Sequence, residues 1–285
     1  MIILAIIQPF ADLLFVLFWI FIIGSLVGKF ISDVSTIFTK TDWSQYRKQD
    51  PNNIDSLIGQ YEHAIQEDAN AMVVKEIILK EFPMIRHWTA ANRAKFIWRT
   101  MRIREQKHFH GQEGFEVIAE HEIIISATIA QLTFGLQYSY HLPTFELIEI
   151  YPRHFYSKLV DNHVEGLTLG NGRLFLSWHH FEEGHDDSAD KKHLGFHEFA
   201  HAMMIEFDHF RNLPRWKKWQ QVAHPVMQSI QRSDTHFFRK YGATNIHEFW
   251  AVTVETFFEQ PQEFKQNYHE LFDCTCKILN QRNNH

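Results

Sequence analysis

His197-Glu198-Phe199-Ala200-His201 sets two imidazoles four residues apart with a glutamate beside the first. Residues at that spacing share one face of an α-helix, so the pentapeptide HExxH predicts a helix that aims two nitrogen donors at one metal ion. A tetrahedral zinc held by three protein ligands keeps its fourth position for water, and Glu198 stands where a general base would take that water's proton. The motif therefore implies zinc-assisted hydrolysis of a peptide bond. It also constrains the whole fold, because a third ligand must arrive from elsewhere in the chain. Among 20 histidines, four precede a glutamate (His121, His197, His247 and His269), and only His197 is followed by a second histidine at the right distance. Chance supplies about 0.1 such matches in a chain of this length.

The 285 residues suffice for one large domain with a sizeable core. A net charge of -6 and a pI near 6.4 argue against nucleic-acid binding, which calls for a concentrated basic face. The densest basic stretch, 93–107, interleaves its charges with Phe96, Ile97, Trp98, Met101 and Ile103 at helical spacing, as a solvated face does. Cys274 and Cys276 stand one residue apart with no further cysteine to complete a metal site or a disulfide framework, so they read as reduced thiols.

From Met1 to Gly28 only Asp12 is charged, and residues 13–27 carry no charge at all. Residues 13–31 reach the length of a membrane span if Lys29 extends to the interface. Lys29, Lys40, Arg47 and Lys48 all follow the apolar run and none precedes it, which predicts a single-pass membrane protein with its catalytic domain in the cytoplasm. The polar stretch 41–55, with Pro51, reads as a linker. The expected organisation is an anchor over 1–31, a linker over 32–55 and one domain over 56–285.

Within that domain, apolar recurrence at three and four predicts helices over 56–81 and 88–105, divided by Pro83, and a third over 116–136, its apolar residues largely on one side and packed in the core. Strands are expected over 145–151, 164–169 and 173–178, the last two joined by a tight turn at Asn171-Gly172. An acidic loop, 182–190, then leads into the motif helix. The strand over 173–178 is the candidate edge beside that helix, where an extended peptide could pair. Residues 207–239 show no assignable pattern. After them Thr244 or Asn245 can cap a helix that presents Glu248 and Glu255.

The third ligand is open at this point. HExxHxxGxxH would need Gly and His where Met204 and Phe207 stand, which excludes the metzincin pattern. A glutamate from the following helix is the other common solution, offered by Glu248 or Glu255. Four stretches, GFHEFAHAM at 195–203, YGATNIHEFWAV at 241–252, LSW at 176–178 and YPRHF at 151–155, resemble zinc-dependent peptidases of the Mlc titration factor A family, related to the lethal-factor type of gluzincin. The resemblance spans about residues 90–270. It implies Glu248 as the zinc ligand, Tyr241 as an aid to catalysis, and one Zn2+ per chain held by His197, His201 and Glu248. Glu198 is then the general base. Glu255, two turns past Glu248, is a candidate to hold a ligand histidine through its second ring nitrogen.

The leading expectation is thus a zincin-like metallopeptidase domain of α+β class, mainly helical with a small sheet, preceded by one transmembrane helix. Its partners would be a peptide or protein substrate, the membrane through the N-terminal helix and a protein regulator, with no nucleic acid. The alternative is a zinc-bearing regulatory binding module with weak or vestigial peptidase activity. A metal-storage role would call for histidine tracts, whereas these are scattered and none precedes His63.

Overall fold

Pro83 opens a 3-10 turn, Pro83–His87, between helices α1 (Ala69–Glu81) and α2 (Ala90–Glu105), because its ring cannot continue a helical hydrogen-bond ladder. Thr89 caps α2 by accepting from the Asn92 amide at 3.2 Å. The computed structural model describes residues 69–137, 140–186, 191–206, 214–232 and 236–281, all of them in one compact unit, Leu57–His285. After α2 come β1 (His108–Gly111), α3 (Ala119–Leu132), β2 (Leu147–Tyr151), β3 (Phe155–Ser157), β4 (Asn162–Val164), β5 (Gly166–Leu169) and β6 (Arg173–Ser177). The C-terminal half is helical: α4 (Trp178–Asp186), α5 (Leu194–Glu206), α6 (Pro214–Arg232), a 3-10 turn Lys240–Ala243, α7 (Ile246–Glu259), α8 (Pro261–Asn267) and α9 (His269–Leu279). This is a mainly helical α+β domain with a small sheet.

The expected anchor, 1–31, and linker, 32–55, lie outside the described residues. Among the described residues no helix is long and apolar enough to cross a membrane, so the membrane-spanning part of the expected fold and the single-pass membrane localisation with a cytoplasmic catalytic domain are corrected and withdrawn. The longest helix among the described residues, α6, has 19 residues but buries only the stripe of Trp216, Trp219, Ala223, Met227 and Ile230. Its Arg215, Lys217 and Lys218 give it the other face of an amphipathic helix.

Three local readings change in the structure. Helix α3 packs in the core as expected, but it is buried without a break from Ile123 to Ala130 rather than largely on one side. The acidic stretch from Glu182 belongs to α4, where Phe181 and Gly184 face inward while Glu182 and Glu183 stay exposed. Helix α6 occupies the unassigned region, its periodicity obscured by the internal Pro225.

The four-stranded sheet has the order β1-β2-β6-β5. β1, β2 and β6 run parallel, and β5 is antiparallel to β6 through Gly166↔Leu176, Leu167↔Phe175, Thr168↔Leu174 and Leu169↔Arg173. Residues 173–177 therefore pair on both sides, and the candidate edge strand is corrected: the edge beside the motif helix is β5. The β5–β6 connection is a three-residue turn, with Gly172 at φ +86 and its α-carbon so close to Thr144 that an added Cβ would lie 2.2 Å from the Thr144 carbonyl oxygen.

Helix α5 sits between this edge and α7. Trp250 of α7 is fully buried and donates from Nε1 to the Ala200 carbonyl of α5 at 3.2 Å. Trp216 and Trp219 stack at 4.8 Å and both meet Trp250 edge-on. This aromatic layer locks the α5–α7 crossing from behind, as buried indoles do when their N–H finds a partner.

Candidate active site

Helix α5 brings the His197 and His201 Nε2 atoms to 3.2 Å from each other. Helix α7 supplies the third group. Asn245 caps it, its side-chain oxygen accepting from the His247 and Glu248 amides at 2.9 and 3.0 Å, which fixes Glu248 in the first turn. Glu248 Oε2 then lies 3.2 Å from His197 Nε2 and 3.4 Å from His201 Nε2. These are the three ligand atoms among the described residues that converge well enough to hold a metal ion.

The fit to a metal rests on two observations. A tetrahedral ion with bonds of about 2.0–2.1 Å has ligand–ligand edges of about 3.3–3.4 Å, close to the three separations seen. Glu248 Oε2 is also buried with no well-aligned hydrogen bond, its close polar neighbours being the two imidazole nitrogens, and a cation between the three atoms would satisfy it. Burial pushes the Glu248 carboxyl up, but the neighbouring imidazoles of His197 and His201 outweigh it and hold the group well below the usual carboxylate range. Burial likewise opposes charge on His197, yet Glu248 and Glu255 push its imidazole up to about 10. The cluster is built for positive charge.

Glu255 orients His197. It is fully buried, and its Oε1 lies 2.7 Å from His197 Nδ1, so Nε2 is the nitrogen turned to the cluster. The same carboxylate accepts from Arg239 Nη2 at 2.5 and 2.6 Å and from the His193 amide at 2.9 Å. Sequence reasoning reached Glu255 but missed Arg239 and His193. The available signal was their position, two residues before Tyr241 and four before His197.

Glu198 is buried, and its Oε2 lies 2.7 Å from Thr168 Oγ1 on β5. Tyr241 closes the cluster from the 3-10 turn Lys240–Ala243, its ring centroid 5.9 Å from that of His197. Burial, followed by the charge and hydrogen bonding of Glu248, pushes the Tyr241 phenol up to about 12, so it is a proton donor at neutral pH. Of the sequence-derived candidates, His197, His201 and Glu248 converge on one point, the Tyr241 ring lies beside that of His197, and the charge of Glu198 reaches both His197 and Tyr241.

A model of the glucose-regulated metallo-peptidase M90 family matches residues 59–279. The chain belongs to this family. Mlc titration factor A of Salmonella paratyphi B is 25% identical over 227 residues, covering 70% of this chain and 83% of its own length, and that of Salmonella typhimurium matches equally. An uncharacterized protein of Synechocystis sp. is 28% identical over 190 residues, 59% of this chain and 69% of its own length. Membership of the M90 family implies a metal, and the His197–His201–Glu248 cluster is the group in the described residues that offers it a seat.

Proposed function

We propose that this M90 chain is a zinc-dependent metallopeptidase of zincin type that hydrolyses peptide bonds. The observation that carries the reading is the convergence of three donor atoms at tetrahedral spacing, with the buried Glu198 on the same helix close enough for its charge to act on His197 and Tyr241. His197, His201 and Glu248 would hold one Zn2+, which when bound supplies Lewis acidity toward water and the scissile carbonyl. Glu198 takes a proton from the attacking water and delivers it to the leaving amine. The Tyr241 hydroxyl donates a hydrogen bond to the oxyanion that develops on the carbonyl oxygen. Glu255, braced by Arg239, holds the His197 ring so that its Nε2 is the ligating atom. An extended peptide finds at β5 a strand edge that no described strand pairs, next to the helix that bears the base.

The decisive substitution is Glu198→Gln in the zinc-loaded full chain. Peptide hydrolysis should fall by about 10^3 while zinc stoichiometry stays at one, because an amide cannot take the proton. Hydrolysis at the wild-type rate would sink the reading.

The name of the Mlc titration factor A relatives favours a second reading, in which the zinc-bearing domain regulates a protein partner by binding it and any hydrolysis is vestigial. Binding of a partner with undiminished affinity by the Glu198→Gln variant, from a parent without measurable peptidase turnover, would select that reading.

A further inference from the structure

The edge strand β5 touches Glu198 as well as offering an edge that no described strand pairs. Ser177 donates its amide to the Glu165 carbonyl at 2.7 Å, which makes 165/177 a hydrogen-bonded pair of the antiparallel ladder. Such pairs alternate, so Leu167 and Leu169 also turn their backbone groups toward β6, and the N–H and C=O of Gly166 and Thr168 face the open edge. The side chains of 166 and 168 share one face of the strand. On that face stands Glu198.

Two contacts fix the carboxylate there. Thr168 Oγ1 lies 2.7 Å from Glu198 Oε2 and 3.0 Å from the Glu198 carbonyl oxygen, so its hydroxyl proton has an acceptor in the side chain and another in the backbone of the same residue. At position 166 a Cβ would fall 2.7 Å from both Cγ and Oε1 of Glu198 and 2.8 Å from Leu194 Cδ1. Glycine therefore leaves the space that the glutamate stem occupies, and any larger residue would push the stem aside. The strand grips the carboxylate through a hydroxyl at one position and a missing side chain at the other.

We propose that Thr168 is a positioning residue for the general base Glu198, with Gly166 keeping its place clear. This inference rests on the metallopeptidase reading. The backbone atoms facing an incoming peptide and the groups that aim the base then belong to the same two residues. Placement of the scissile carbonyl and alignment of the proton acceptor are set by one strand, and a misplaced base costs turnover more than binding.

The test compares Thr168→Val, which keeps the branched shape without the hydroxyl, with Thr168→Ser, which keeps the hydroxyl, both as zinc-loaded full chains. In Thr168→Val, kcat should drop by about 10- to 100-fold, the factor carried by one hydrogen bond to a charged group, with KM within about two-fold. Zinc stoichiometry and melting midpoint should stay near wild type. Thr168→Ser should recover most of the lost kcat. A crystal structure of the zinc-loaded Thr168→Val protein should show the Glu198 carboxylate turned from its place beside β5. Wild-type kcat in Thr168→Val, equal losses in the Val and Ser variants, or an unmoved Glu198 would each overturn the inference. Those results with an inactive Glu198→Gln would leave the metallopeptidase reading standing. A fully active Glu198→Gln would remove that reading, and this inference with it.

Discussion

Two buried charged regions of this domain behave in opposite ways. Around His197 two carboxylates face partners of opposite sign: Glu255 meets the His197 ring and Arg239, and Glu248 meets both motif histidines. Near the C-terminal end of α2, Lys107 is almost fully buried, and among the described residues its ammonium donates only to the Leu142 carbonyl, at 2.8 Å. There burial wins over the more distant Glu206 and Glu146 and pushes the Lys107 ammonium down to about 8. His141 nearby is pushed down to about 4, by burial and then by Lys107, and its Nδ1 is buried without a partner. A cavity of about 530 Å³ opens beside Lys107, lined by Arg104, His108 and His110 as well. Burial and space alone suppress charge; convergent donors of the right sign are what retain it, and a cation site needs convergence more than it needs a cavity.

This contrast predicts a graded series. Glu248→Ala should abolish stoichiometric zinc binding, measured by metal analysis after dialysis, because only two protein donors remain. Retention of one zinc per chain in that variant, with loss in Glu255→Ala, would reassign the ligand and break the comparison at its stronger end. Glu255→Gln keeps the shape but removes the charge behind His197, and competition with a chromophoric chelator should show zinc affinity lower by about 10- to 100-fold. An unchanged affinity would mean that the Arg239–Glu255 pair braces the fold and not the ligand.

The smallest effect belongs to the other region. The folded chain releases the Lys107 proton near pH 8, whereas an unfolded lysine holds it to about 10.4. Between those values the unfolded state binds more protons, so Lys107 makes stability rise with pH, by at most about 3 kcal/mol. Lys95, also pushed down to about 8 by burial and then by Arg99, adds to the same slope. Urea denaturation of Lys107→Met at pH 7.5 and pH 10 should show a shallower rise than wild type, with zinc content unaltered in the folded protein. A loss of zinc there would erase the distinction between the two regions.

Much of the site was legible from local spacing. His197 and His201 share a helix face because four residues make about one turn, and Asn245 reads as a cap for the helix that carries Glu248. Glu255 was in reach for the same reason, two turns further along that helix. The strand edge was misread because alternation marks 166–169 and 173–177 equally as strands, while the sheet order that makes one an edge and the other interior arises from pairing with β2, a strand more than twenty residues earlier in the chain. Charges hid α4, and Pro225 hid α6. The apolar run at the N-terminus dominated the expected localisation, yet it lies outside the described residues, and the amphipathic helices of the domain gave that localisation no support.

By itself the sequence determined which residue types could face a metal ion, since HExxH and a capped helix offering Glu248 or Glu255 are local patterns fixed by helical geometry. Only the tertiary structure decided what aims them. Thr168 lies 30 positions before Glu198, Arg239 16 before Glu255, and Glu255 58 after His197. Thr168 and Arg239 have no residue type or motif spacing that marks them in isolation. Each acquires its part only when the edge strand and two helices close on the same carboxylates and imidazoles, since a hydrogen bond across such distances in the chain is fixed by packing and not by local propensity.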